Sequence, residues 1–170
     1  MNTSASNTSA SAPVRYWQDL SAAVAHLQPL VLLLFRLVVA LAFWRAGVVK
    51  LADPSGTLAL FSNTYQVPLL APQVAATLGT WVELITPWFL IFGLGPRAVA
   101  AMLFVYNVIA VVSYPDLWPD GFWTGLIGTD FNDHKAWGLM LLATVAWGPG
   151  ALSLDRLVCR WLNRRGLRGA

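Results

Sequence analysis

Cysteine is nearly missing from this 170-residue chain. Cys159 stands alone, which excludes an intrachain disulfide, a CxxC redox pair and a cysteine-ligated cluster. Histidine is almost as rare, and His26 and His134 are too few for a multi-histidine metal centre. Charge is the third shortage: Asp, Glu, Lys and Arg make up 11% of the residues, against about 25% in a soluble domain. What fills the space is apolar, with 57% hydrophobic residues, nine Trp and a mean hydropathy of +0.60. One core cannot hide that much apolar surface, so a membrane is the expected solvent for the rest. Disorder, a secreted disulfide scaffold and a nucleic-acid-binding domain are excluded by the same arithmetic. The pI near 9.4 does not bring nucleic acid back as a partner. The basic residues collect at the C-terminus, where membrane-side electrostatics explains them better.

Residues 1–13, a Ser/Asn/Thr/Ala tail, read as disordered. The first long apolar run, Pro29–Val49, contains Arg36 and Arg45, which argues against a cleaved secretory signal. Over residues 14–28, Val14, Trp17, Leu20, Val24 and Leu27 recur at spacings of three or four and form one apolar stripe. That stripe suits a helix lying in the membrane interface and, equally, an amphipathic helix packed on protein. Pro29–Val49 and Val74–Leu94 are 21 residues each, roughly 31 Å of helix at 1.5 Å per residue, long enough for the hydrocarbon core. Ala98–Tyr114 has 17 residues, at the short limit. A fourth span, Asn132–Trp147, is shorter still and polar at its start. The expected fold class is therefore all-α: an integral membrane four-helix transmembrane bundle over residues 29–152, with flanking interfacial amphipathic helices.

Four spans put both termini on one side. That side holds Arg15, Arg97, Arg156, Arg160, Arg164, Arg165 and Arg168, and the other holds only Lys50 and Lys135. The bias places both termini in the cytoplasm. In the first outer connection Asp53 can cap a helix with Pro54 at its first position, and Leu58, Phe61 and Tyr65 form its stripe. The second connection, Pro115–Asp133, is apolar without periodicity and reads as a loop in the interface or over the bundle mouth. After Gly148-Pro149-Gly150, Ser153 can cap a last, basic helix within residues 153–170. There Leu154, Leu157, Val158, Trp161 and Leu162 lie opposite Arg156, Arg160 and Arg164, as on an anionic leaflet.

Charges inside spans carry the sharpest functional signal, because a centred charge costs about 2.5–3.5 kcal/mol and must find a partner or a wet cavity. Glu83 lies within the second span, on a face with Ala76, Gly79, Thr80, Thr86 and Pro87 that permits close helix approach. On the first span Arg36, Ala40, Phe43, Gly47 and Lys50 share one stripe, and Arg45 lies about half a turn away from Arg36. Depth favours Arg45 as the partner of Glu83, with Arg36 second. Two readings stay open: an ion pair that fixes helix register, or a polar pocket for a headgroup, a proton or a small anion. Asn107 and Tyr106 can hydrogen-bond across helices. Asp130, Asp133 and His134 make a sparse donor set at the outer mouth. Capping of the fourth helix by Asp130 or Asn132 is favoured over a metal there, and no metal site is assigned. His26 and His134 fall on opposite sides, so no haem is expected. Trp44, Trp81, Trp88, Trp118, Trp123 and Trp137 read mainly as belt and packing residues, several of them near the outer half where a flat ring could sit.

These residues resemble the DoxX family of small four-helix bacterial membrane proteins. The resemblance rests on Arg36, Gly47-Val48-Val49-Lys50-Leu51, Glu83, the Gly93-Leu94-Gly95-Pro96-Arg97 turn and the Gly148-Pro149-Gly150-Ala151-Leu152-Ser153-Leu154-Asp155 ending. It implies a protein of the bacterial cell inner (plasma) membrane, linked to redox or sulfur metabolism, with a quinone as a cofactor to consider. Some relatives look like membrane subunits of thiosulfate:quinone oxidoreductases, and others accompany oxidative-stress or metal-handling systems. Two functions lead for this chain, ahead of a third, a small transporter or metal-export component, that rests on the buried charges alone and is disfavoured by four spans with no evident internal repeat. One is a redox-associated membrane subunit with a quinone or small-anion pocket near Arg45, Lys50 and Glu83. The other is a non-catalytic membrane anchor or assembly partner for another protein.

Overall fold

The computed structural model describes residues 12–164. The greater part of the expected N-terminal tail lies outside the described residues, as do Arg165 and Arg168. Among the described residues the chain is helical with no strand: α1 (Ala12–Ala25), α2 (Gln28–Ala52), α3 (Pro54–Asn63), α4 (Pro72–Phe92), α5 (Pro96–Val112), a 3-10 turn (Pro115–Leu117), α6 (Phe122–Ile127), α7 (Asn132–Trp147) and α8 (Leu154–Arg164).

Proline writes several of the helix starts. Each of α2, α3, α4 and α5 carries one in its first turn, where the missing N–H has no helical partner to lose. Asp53 caps α3 by accepting from the Gly56 N–H at 2.9 Å. The α4–α5 turn is tight because Gly93 takes a left-handed conformation at φ 68°, the usual end of a helix at glycine. Ser153 caps α8 through the Arg156 N–H.

The four long helices α2, α4, α5 and α7 close on one another: α2 lies along α4, α5 along α7, and α2 also meets α7 while α4 meets α5. Val39, Ala40, Phe43, Leu90, Ala100, Leu103 and Leu141 fill the centre. The opposite faces are just as apolar. Leu34, Leu41, Val49, Leu78, Trp81, Phe89, Val105 and Leu139 stand exposed on the outside, and a helix apolar all round needs protein or lipid on every side. By length and composition, Pro13–Ala52 and Pro72–Phe92 can each cross a membrane, and Pro96–Val112 is apolar but shorter.

Two expectations about the connections change. The stretch Pro115–Asp133 is not irregular throughout: it forms the 3-10 turn and α6. Neither Asp130 nor Asn132 caps α7. Phe131 occupies the cap position in a left-handed conformation with no side-chain hydrogen bond, and Lys135 instead donates to the carbonyls of Gly125, Leu126 and Gly128 at the end of α6. The helix α1 starts at Ala12, and its apolar stripe, Val14, Trp17, Leu20 and Val24, is exposed.

Candidate functional site

The site begins with a glycine. At Gly47 a Cβ would stand 3.0 Å from the Cβ and carbonyl carbon of Glu83, so α2 and α4 approach so closely here that any side chain would press the Glu83 turn away by a few tenths of an ångström. One turn later on α2, Lys50 reaches back along the helix, the direction in which helical side chains lean. Its Nζ meets Glu83 Oε1 at 2.5 Å and Oε2 at 2.6 Å. Tyr106 on α5 donates its hydroxyl to the same Oε1 at 2.7 Å. The side chains of the pair are 15% and 7% exposed, so water screens them little. Pro87 lies inside α4 and has no N–H for the carbonyl of Glu83 one turn earlier, which loosens the backbone at this point.

The partner of Glu83 is therefore Lys50, neither Arg45 nor Arg36. Arg45 is exposed on the outside of α2, half a turn from the stripe that faces α4. Arg36 is on that stripe but too deep. It is fully buried and binds carbonyls only: Leu32 on its own helix, Leu90 and Ile91 at the end of α4, and Leu152 before α8. A cation at the negative end of α4 is favourably placed.

Beside the ion pair lies a cavity of about 410 Å³ between α2, α3, α4, α5 and α7. Phe43, Phe61, Tyr65, Tyr106 and Trp137 give it aromatic walls, and Lys50, Glu83, Asn107, Ser113 and His134 supply its polar atoms. Asn107 Nδ2 donates to the His134 carbonyl at 2.9 Å, and the Asn107 Oδ1 faces His134 Nδ1 at 2.9 Å. With the amide nitrogen spent as donor, Oδ1 must accept. The imidazole therefore donates from Nδ1 and keeps Nε2 as an acceptor. Its ring meets Trp137 edge-on at 4.8 Å. Burial, reinforced by the nearby Glu83 carboxylate, holds the Tyr65 phenol above its ordinary value, so that hydroxyl stays protonated.

Ser113 is the residue that sequence reasoning missed. Its Oγ is buried and has no hydrogen-bond partner among the described residues. Spacings of four and three, Tyr106-Ala110-Ser113, place it on the face of α5 that carries Tyr106, and that was the available signal. The outer-mouth set does not assemble. His134 turns inward to Asn107, Asp133 is exposed, and among the described residues no group of three His, Cys, Asp or Glu side chains is placed to hold a metal ion.

Helices apolar on both faces, closed around a buried ion pair and an aromatic-walled cavity, define, among the described residues, a helical membrane protein with an internal chamber that carries a few polar groups. Comparison with protein families then gives the particular one. The DoxX family model matches residues 31–115, half of the chain, and the chain belongs to the DoxX family. That stretch contains Arg36, Lys50, Glu83, Tyr106, Asn107 and Ser113, whereas His134 lies beyond it. No curated protein and no solved structure matches the chain.

Proposed function

We propose that this DoxX protein is a redox-associated subunit of the bacterial inner membrane whose chamber takes the headgroup of a quinone. In this reading α2, α4, α5 and α7 form a four-helix transmembrane bundle over residues 29–152, and both termini are cytoplasmic. The observation that supports the ligand class is the state of Lys50. Its charge is spent on Glu83, so the chamber is close to neutral overall and a small anion would have to displace a carboxylate in a poorly screened site. A flat, uncharged ring with hydrogen-bonding oxygens suits the aromatic walls, with polar groups at a few points to orient it.

The chain's residues then bind, orient and handle protons. Tyr106, fixed by Glu83, and Trp137, fixed against His134, hold the ring plane. In the reduced, quinol form of the ligand a ring hydroxyl would donate to His134 Nε2, and Asn107 holds the imidazole in the tautomer that accepts it. Reduction of the quinone to that quinol takes two electrons, supplied in this reading by a partner redox protein, and two protons.

Extraction of the purified protein followed by mass spectrometry tests this. Bound quinone in the wild type, reduced at least fivefold in Glu83→Gln, is the expected result. No quinone in either, with quinone reduction in membranes unchanged by Glu83→Gln, contradicts it. The second reading, a non-catalytic anchor or assembly partner, is favoured by the exposed apolar stripes of α1 and α8 beside basic residues. It predicts that a partner co-purifies only while α8 is intact, with no quinone retained.

A further inference from the structure

A second cavity, of about 350 Å³, runs between α5, α6 and α7. Its walls include Phe104, Val108, Phe122, Leu126, Leu139 and Leu142, almost all hydrocarbon. It opens outward, since Leu139 on its rim is 70% exposed. Among the described residues the one cation on its wall, Lys135, is occupied by the carbonyls at the end of α6, so none of them calls for a charged ligand. Asn107 and His134 line both this groove and the chamber. The hydrogen-bonded pair is thus the wall shared by the aromatic chamber, which holds the ion pair, and an almost wholly apolar groove.

The chamber also has an unmet demand at its other end. Ser62, Thr77, Thr80, Thr86 and Thr144 all donate their hydroxyls to the carbonyl four residues earlier. Ser113 does not: the Ile109 carbonyl takes its backbone N–H, and the Oγ is left without a partner. A buried orphan of this kind is disfavoured unless something in the cavity satisfies it. Ser113 and Asn107 are six residues apart, roughly 9 Å along the axis of α5 at 1.5 Å per residue, a span that accommodates one substituted ring.

Resting on the reading of the chamber given above, we propose that chamber and groove are one site for a ring-bearing lipid. Ser113 hydrogen-bonds a ring oxygen at one end of the chamber, and the hydrocarbon tail reaches the α5–α7 groove beside the Asn107–His134 pair, the wall the two cavities share, which parts locally to admit it. The tail side of the ligand is an isoprenoid or alkyl chain. A phospholipid acyl chain has the same chemistry, and the test separates the two sources.

The full-length protein in phosphatidylcholine nanodiscs is photolabelled with two probes, a long-tailed quinone bearing a diazirine on its tail and a phosphatidylcholine bearing one on an acyl chain. The quinone probe is expected to label peptides containing 104–111 and 138–142 at least fivefold over the exposed faces of α2 and α4. Excess unlabelled long-tailed quinone is expected to suppress labelling of the groove by the phosphatidylcholine probe, whereas a tail-less quinone is not. Leu139→Trp, which fills the groove from its exposed rim without touching the core, should remove the groove label. Ser113→Ala should weaken binding of ring and long-tailed quinone alike by roughly 3- to 10-fold, the loss of one hydrogen bond. Even labelling of all lipid-facing helices, or a phospholipid signal in the groove that no quinone displaces, overturns the shared site while ring binding in the chamber stands. Failure of any quinone to bind would instead remove the reading of the chamber itself.

Discussion

At Lys50, Glu83 and Tyr106 a structural pair and a ligand-facing wall can be told apart by experiment. Leaving one charge of a buried pair alone costs about 3–5 kcal/mol, whereas replacing both partners by apolar residues of similar volume is often neutral. Glu83→Gln and Lys50→Met should therefore each lower the unfolding free energy in detergent by about 3 kcal/mol. The double variant Lys50→Met/Glu83→Leu should regain most of it. If the pair serves only to fix helix register, the double variant also keeps its quinone; if it orients Tyr106 toward a ligand, the double variant is stable but empty. Quinone content measured beside melting curves separates the two. Asp53 offers a second check, in solvent. Its carboxyl sits below its ordinary value because it accepts from the Gly56 N–H and the Ser55 hydroxyl. A depressed folded-state value means that the cap stabilises α3 at neutral pH and loses that contribution as pH falls through the folded-state value. Protection of the α3 amides against hydrogen exchange should accordingly fall on acidification, and Asp53→Asn should flatten that dependence.

Among the helices, Gly47 decides how α2 meets α4. A Cβ there is already tight against Glu83 and Leu84, so Gly47→Val should push the helices apart, break the contact between Lys50 and Glu83 and destabilise by about 1–3 kcal/mol, the usual range for overpacking. Loss of bound quinone in a variant that still inserts would show that helix approach, not only charge, builds the chamber. The stripe Arg36-Ala40-Phe43-Gly47-Lys50 was legible in the sequence, as were the Pro54 start and Asp53 cap of α3 and the turn at Gly93, whereas the spans read from Val74 and Ala98 begin two residues earlier, at Pro72 and Pro96. The partner of Glu83 was not, for a physical reason. Ranking cations by the depth of their Cα favours Arg45, but a lysine side chain reaches about a full turn toward the helix N-terminus. Face decided the pairing, and depth misled. The helix α6 escaped notice because six residues, Phe-Trp-Thr-Gly-Leu-Ile, are too few to show a period. The chamber itself was beyond reach, since it takes five helices to enclose it and Ser113 matters only through what it fails to touch.

For the molecule as a whole, the topology proposed above, with both termini cytoplasmic, can be tested directly. In a Cys159→Ala background, a cysteine at Ser62 in α3 should react with a membrane-impermeant maleimide added to spheroplasts, and one at Asn163 in α8 only after lysis. The reverse pattern would invert the bundle and place the chamber on the cytoplasmic side. The central claim, that a neutral ring occupies the chamber against the wall formed by Lys50, Glu83 and Tyr106, is tested most directly by equilibrium titration of the protein in nanodiscs with a quinone and, separately, with thiosulfate. The account predicts saturable binding of one quinone per chain, no competition by thiosulfate, and at least a tenfold loss of quinone affinity in the folded Lys50→Met/Glu83→Leu variant. Equal quinone affinity in that variant, or tight thiosulfate binding that depends on Lys50, would contradict it.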